Sequence, residues 1–186
     1  SLPKGFHVDY GGQIEHLSRA RNRLMVAGPL ALFLIVFFLH LSTGSLRKSL
    51  IIFTGAPFAC VGGIAALWLR GMPLTISAAI GFIAVCGVSV LNGLVMVATF
   101  EQNKEHLPDH ETAIIEGALQ RIRPVLMTAL VAALGFIPMA LNTGVGAEVQ
   151  RPLATVVIGG VFSDTCLTLL TLPILYSLFG KSKKTA

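Results

Sequence analysis

Long apolar runs dominate the chain. Residues 25–41, 50–69, 76–100, 125–141 and 153–179 are stretches mostly without charge, separated by short polar segments. A bilayer core of about 30 Å is crossed by roughly 20 apolar residues in a helix. The pattern therefore predicts an all-α integral membrane protein, a bundle of five transmembrane helices over about 24–41, 49–70, 75–100, 123–142 and 152–179. The first run follows some two dozen polar residues, lacks a small-residue cleavage pattern and is followed by further spans, so it does not read as a signal peptide.

Residues 1–23 have soluble character. Phe6, Val8 and Tyr10 alternate with Lys4, His7 and Asp9 as in a short strand, which Gly11 and Gly12 end. From Gln13 the apolar positions Ile14, Leu17, Ala20 and Leu24 recur at helical spacing, and that helix should run directly into the first span. In the second span Gly55, Ala59 and Gly63 form a small-residue face for close helix packing, and Pro57 should kink it. The third span carries Gly81, Gly87 and Gly93. Pro108 and Asp109, with Asp109 as N-cap, should open an amphipathic cytoplasmic helix over about 109–121 that displays Ala113, Ile114, Leu119 and Ile122. Pro124 then suits the first turn of the fourth span. A Gly-rich turn covers 142–150, and Lys181, Lys183 and Lys184 close the fifth span, leaving 181–186 as a tail.

Composition narrows the class. Hydrophobic residues make up 54% of the 186 positions and charged residues 12%, about half the charged share of an ordinary soluble domain. The net charge of +5 lies in residues that cap the spans, which fits membrane flanks and not nucleic acid. With the C-terminus cytoplasmic, Arg47, Lys48, Lys104, Arg121, Arg123 and the three tail lysines fall inside, and Arg70 and Arg151 fall in outer loops. Lys4, Arg19, Arg21 and Arg23 then lie outside against the positive-inside bias, as the end of a large translocated domain can.

No enzyme signature, cofactor site or metal site emerges. Cys60, Cys86 and Cys166 sit separately in apolar runs as packing residues, and Gly62-Gly63 and Gly159-Gly160 follow no strand that would make them phosphate loops. His106 and His110 have helical spacing but read as part of a solvated loop, and Glu148 and Arg151 as partners in a turn. Four polar residues in or beside the spans are candidates either for helix-to-helix glue or for a proton path: Asn92, Arg121, Thr128 and Asp164. Asn92 should face the bundle, since an unpartnered amide in hydrocarbon costs several kcal/mol. Arg121 can snorkel to headgroups and Thr128 can bond its own backbone. Asp164 lies about 17 Å into its span, near the bilayer centre. It should be a buried, proton-binding residue, with Thr168 one turn on as a possible acceptor of its proton.

Three motifs carry a resemblance. Tyr10-Gly-Gly-Gln-Ile-Glu15, Arg121-Ile-Arg-Pro-Val-Leu-Met-Thr128 and Gly146-Ala-Glu-Val-Gln-Arg-Pro-Leu-Ala-Thr-Val-Val-Ile-Gly-Gly160 resemble the resistance-nodulation-division (RND) efflux transporters, in their heavy-metal branch of the CzcA type. Gly81-Phe-Ile-Ala84 and Val90-Leu-Asn-Gly93 support it. The resemblance implies a homotrimer of twelve-span subunits in the bacterial inner membrane, driven by protons and working with a periplasmic adaptor protein and an outer-membrane channel. This chain would match the end of the periplasmic porter domain (1–23) and spans eight to twelve (24–180). The proton-relay aspartates and the substrate site of the family lie upstream, so the piece alone should be inactive. Leu91 and Val125 stand where drug-exporting and copper/silver members carry charged residues, which implies a divalent cation as substrate. The relatives usually have a small hydroxyl residue in place of Asp164. An exporter of drugs or organic solutes is the alternative within the family, and a structural or assembly subunit without a translocation path is the alternative outside it.

Overall fold

A computed structural model of the chain describes residues 13–106 and 109–179. The strand expected over 6–10, the Gly11 and Gly12 that end it, Pro108 and the 181–186 tail lie outside those residues. The described residues form six helices and no strand: α1 (Gln13–Thr43), α2 (Leu46–Phe53), α3 (Gly55–Leu69), α4 (Ile76–His106), α5 (His110–Leu141) and α6 (Ala147–Phe179). Taking α2 and α3 as one span and the bent α6 as another, five segments are long and apolar enough to cross a bilayer.

Local chemistry explains where these helices stop and break. Gly44 and Gly71, at φ +61° and +60°, end α1 and α3 in a left-handed conformation that a side chain would disfavour. The second span is interrupted at Thr54, three residues ahead of Pro57. Proline has no N–H for the carbonyl four residues back, here Phe53, so the expected kink appears as a break on its N-terminal side. The two helices expected over 109–121 and 123–142 are instead one continuous helix, α5, with Pro124 inside it. Asp109 is its N-cap but makes no capping bond to a backbone N–H; its carboxylate accepts the Thr112 hydroxyl at 3.2 Å. The helix α6 bends by 45° between Cys166 and Thr168, within two turns of Pro173.

The central element is α6, which packs against α2, α3, α4 and α5, while α1 touches only α2 and α4. Close approach of α3 and α6 rests on absent side chains. A Cβ on Gly62 would run into Ser163 and the Gly159 carbonyl, and one on Gly159 into Ala66 and the Gly62 carbonyl. The face expected from Gly55, Ala59 and Gly63 is packed too: Ala59 is fully buried, and Gly63 lies under Phe82 and Val156. Two apolar clusters result. One is built on Ile52, Met96, Phe100 and Tyr176, the other on Ala59, Val85, Val156 and Val161. Large apolar side chains on α1 and α5, such as Phe33, Phe38, Val131 and Leu134, point away from the bundle.

Candidate functional site

The two clusters are separated by a polar one at the crossing of α4 and α6. The α4 positions Ser89 and Asn92 are three apart and therefore share a face. The α6 positions Asp164 and Thr168 are four apart and face them. Asp164 and Ser89 are each 1% exposed and Thr168 is 4% exposed. Asp164 Oδ1 accepts the Ser89 hydroxyl and, at 3.0 Å, the Thr168 hydroxyl; Oδ2 accepts Asn92 Nδ2 at 3.2 Å. Thr168 is thus a donor to Asp164, where the sequence had offered it as acceptor. Gly55, the first residue of α3, backs the cluster, with its Cβ position 2.8 Å from Ser89 Oγ.

Among the described residues no cation is bonded to this carboxyl group, and the partners it has are neutral. The titratable neighbour is the Cys86 thiol, itself 3.5 Å from the Cys60 thiol, both free. Three donors can hold a carboxylate. The same shell can hold the acid, because a half-turn of the Asn92 amide exchanges its donor for an acceptor opposite Oδ2. The arrangement accommodates both protonation states without moving a helix.

The remaining candidates lie elsewhere. Arg121 Nε donates to Thr99 Oγ1 at 2.6 Å, tying α5 to α4 away from Asp164. Thr128 is exposed on α5, and its hydroxyl is spent on the Pro124 and Val125 carbonyls, both at 2.9 Å. The His106 ring contacts the Gln102 carbonyl at 3.0 Å, and the side chain of His110 lies outside the described ones. The Glu148–Arg151 pairing is not formed: Arg151 Nε is buried without a hydrogen-bond partner. Among the described residues no three metal-binding side chains converge.

Sequence reading missed two features. Ser89 was detectable, three residues before Asn92 on the same face. The second is an ionic cluster at one end of the bundle, where Glu101 meets Lys48 at 2.8 Å, Lys104 at 3.2 Å and the Tyr176 hydroxyl. Lys104 also lies 4.5 Å over the Tyr176 ring. These contacts clamp α2, α4 and α6 together.

Comparison with known proteins places this architecture. The family model described as AcrB/AcrD/AcrF family matches residues 1–180. The cobalt-zinc-cadmium resistance protein CzcA of Cupriavidus metallidurans is 54% identical over 185 residues, 100% of this chain and 17% of that protein. The nickel and cobalt resistance protein CnrA of the same organism is 50% identical over 182 residues, 98% of this chain and 17% of its own length. A crystal structure of a heavy metal efflux pump superposes with a TM-score of 0.80 at 46% identity, over 97% of this chain and 18% of that one. The chain thus spans about a sixth of the length of these relatives. With its helices, its motifs and a match running over residues 1–180, it belongs to the AcrB/AcrD/AcrF family of RND transporters.

Proposed function

We propose that this segment is the C-terminal membrane part of a proton-driven exporter of divalent metal ions in a bacterial inner membrane. Residues 1–23 would close a periplasmic domain, 24–180 supply five spans and 181–186 form a cytoplasmic tail. It would act only within a whole subunit, in a homotrimer joined to a periplasmic adaptor and an outer-membrane channel. Identity of 54% and 50% to pumps named for cobalt, zinc, cadmium and nickel supports the substrate class. Leu91 and Val125 support it as well, since neither offers a charge.

The observation that carries the proton reading is Asp164, 1% exposed in the middle of its span with neutral partners alone. An ionised carboxylate at such a depth costs about 2.5–3.5 kcal/mol on insertion scales. Proton binding relieves that cost, and the donors from Ser89, Asn92 and Thr168 lower it when the proton leaves. Arg121 and Thr128 lie away from this cluster, bonded to Thr99 and to backbone carbonyls, and no proton step is assigned to them.

The test is Asp164→Asn in the full-length subunit, expressed in a pump-deleted host. This variant keeps the shape and hydrogen bonding but cannot titrate. Resistance to cobalt, zinc or cadmium should be present with the parent sequence and reduced at least tenfold in the variant, with equal amounts in the membrane. Undiminished metal resistance would leave Asp164 as helix glue, and resistance to dyes without metals would overturn the substrate class.

A further inference from the structure

A buried acid that exchanges protons requires a way out of the bundle, and a series of small polar features runs from Asp164 toward one end. On α6 the residues Asp164, Thr168, Thr171 and Leu175 fall on one stripe. Thr168 donates to Asp164. Beyond it lies a cavity of about 10 Å³ lined by Thr54, Gly55, Phe58, Thr168, Thr171 and Leu172. That is room for a single water on the side of the bundle where Thr54 is exposed, and the hydroxyls of Thr54 and Thr168, which donate to the Ile51 carbonyl and to Asp164, can accept from it beside Thr171. Thr54 is the residue at which the second span breaks. It also lines a larger, open and mostly apolar groove of about 370 Å³, shared with Arg47, Leu50, Ile51, Leu175 and Phe179, in which Arg47 is the charged group. That groove reaches the end of the bundle where the arginine sits.

We propose that Thr168, Thr171 and Thr54 line a water-bearing seam between α2, α3 and α6 that carries protons between Asp164 and the end of the bundle marked by Arg47. The helix break supplies the route. An intact α2–α3 helix would present only satisfied backbone to α6, whereas Pro57 leaves the Phe53 carbonyl without its usual N–H and opens the wall at Thr54. Gly55 keeps the wall thin, because it brings α3 within reach of Ser89, Asp164 and Thr168 at once.

The transfer balances. A proton on the cavity water passes to Thr168 Oγ1 while that hydroxyl hands its own proton to Asp164 Oδ1. One O–H bond forms and one breaks at the threonine, and the carboxylate becomes the acid; release runs the steps backward. Among the described side chains of α3, α4, α5 and α6, no lysine, arginine, histidine or second carboxyl group bonds to Asp164. The thiol of Cys86, with Cys60 behind it, is the titratable group beside it. The proton therefore has no competing strong base along the seam.

This inference rests on the proton reading of Asp164, and two measurements on the full-length subunit separate them. In a background with Cys60, Cys86 and Cys166 replaced by Ala, Thr171→Cys is exposed to a charged methanethiosulfonate reagent in membrane vesicles of each orientation. It should react from the side that carries Arg47 at least tenfold faster than Ile174→Cys, which faces outward. Metal export should fall tenfold or more in Thr171→Leu, which fills the cavity, and persist in Thr171→Ser, which keeps the hydroxyl. An unreactive Thr171→Cys, alongside lost export in Asp164→Asn, would overturn the seam and leave the acid's role intact. Intact export in Asp164→Asn would overturn the acid's role and the seam with it.

Discussion

A carboxyl group held by three neutral donors inside a bilayer depends on how closely those donors are kept, and Gly55 sets that distance. A Cβ there would sit 2.8 Å from Ser89 Oγ and 3.7 Å from Asp164 Oδ1. Ser89 lies on a packed α4 face at 1% exposure, so its hydroxyl can move only by giving up its bond to Asp164. Gly55→Ala is therefore expected to destabilise the membrane domain by about 1–3 kcal/mol, as overpacking does elsewhere, and to impair metal export beyond what the lost stability explains. Gly87→Ala is the control, since no atom lies within 4 Å of its Cβ position. Thermal unfolding in detergent and vesicle export checks both, and equal behaviour of the two variants would remove Gly55 from the site. At this scale the sequence was partly legible. Asp164, Asn92 and Thr168 stood out because polar atoms in a long apolar run must find partners. Gly55 looked like one of many packing glycines, because nothing local tells a glycine beside a hydroxyl from one beside a methyl.

Among the elements, α6 carries both the core and the site, and its fit against α3 depends on Gly62 and Gly159. Each approaches the other's carbonyl: the Gly159 Cβ position is 2.7 Å from Gly62 O. A backbone oxygen cannot rotate aside, and small residues that let helices touch are the main packing device where lipid removes the hydrophobic drive. Gly159→Val should lower the unfolding midpoint of the full-length protein in detergent markedly more than Gly135→Val, whose Cβ position is open. Similar midpoints would mean that the helices separate at little cost. The lengths and order of the helices were readable from apolar runs, because hydrocarbon forces every backbone group to pair within its own segment. Their interruptions were less so. Pro57 breaks a span on its N-terminal side, while Pro124 sits within an unbroken α5. Pro57 lies well inside its apolar run and Pro124 at the start of one, yet it is Pro124 whose helix continues unbroken on both sides.

For the molecule as a whole, the basic residues sort by end. Lys48, Glu101, Lys104 and Tyr176 are bonded to one another, which brings the start of α2 and the ends of α4 and α6 together with neighbouring Arg47. Arg121 joins α4 at Thr99, two residues from Glu101. The opposite end holds Arg70, whose guanidinium bonds Thr155 at 2.7 Å and the Ala140 carbonyl at 2.8 Å, with Arg151 one turn before Thr155. The richer end should be cytoplasmic by the positive-inside bias, and Arg19, Arg21 and Arg23 at the start of α1 depart from it only as long translocated domains do. Two exposed positions report on this directly: Glu105 at the end of α4 and Val145 in the turn before α6. In intact cells expressing the full-length, otherwise cysteine-free subunit, a membrane-impermeant maleimide should label Val145→Cys and leave Glu105→Cys unlabelled until the membrane is opened. Labelling of Glu105→Cys alone would invert the bundle. The seam from Asp164 would then open to the periplasm, where it would take up protons and not release them.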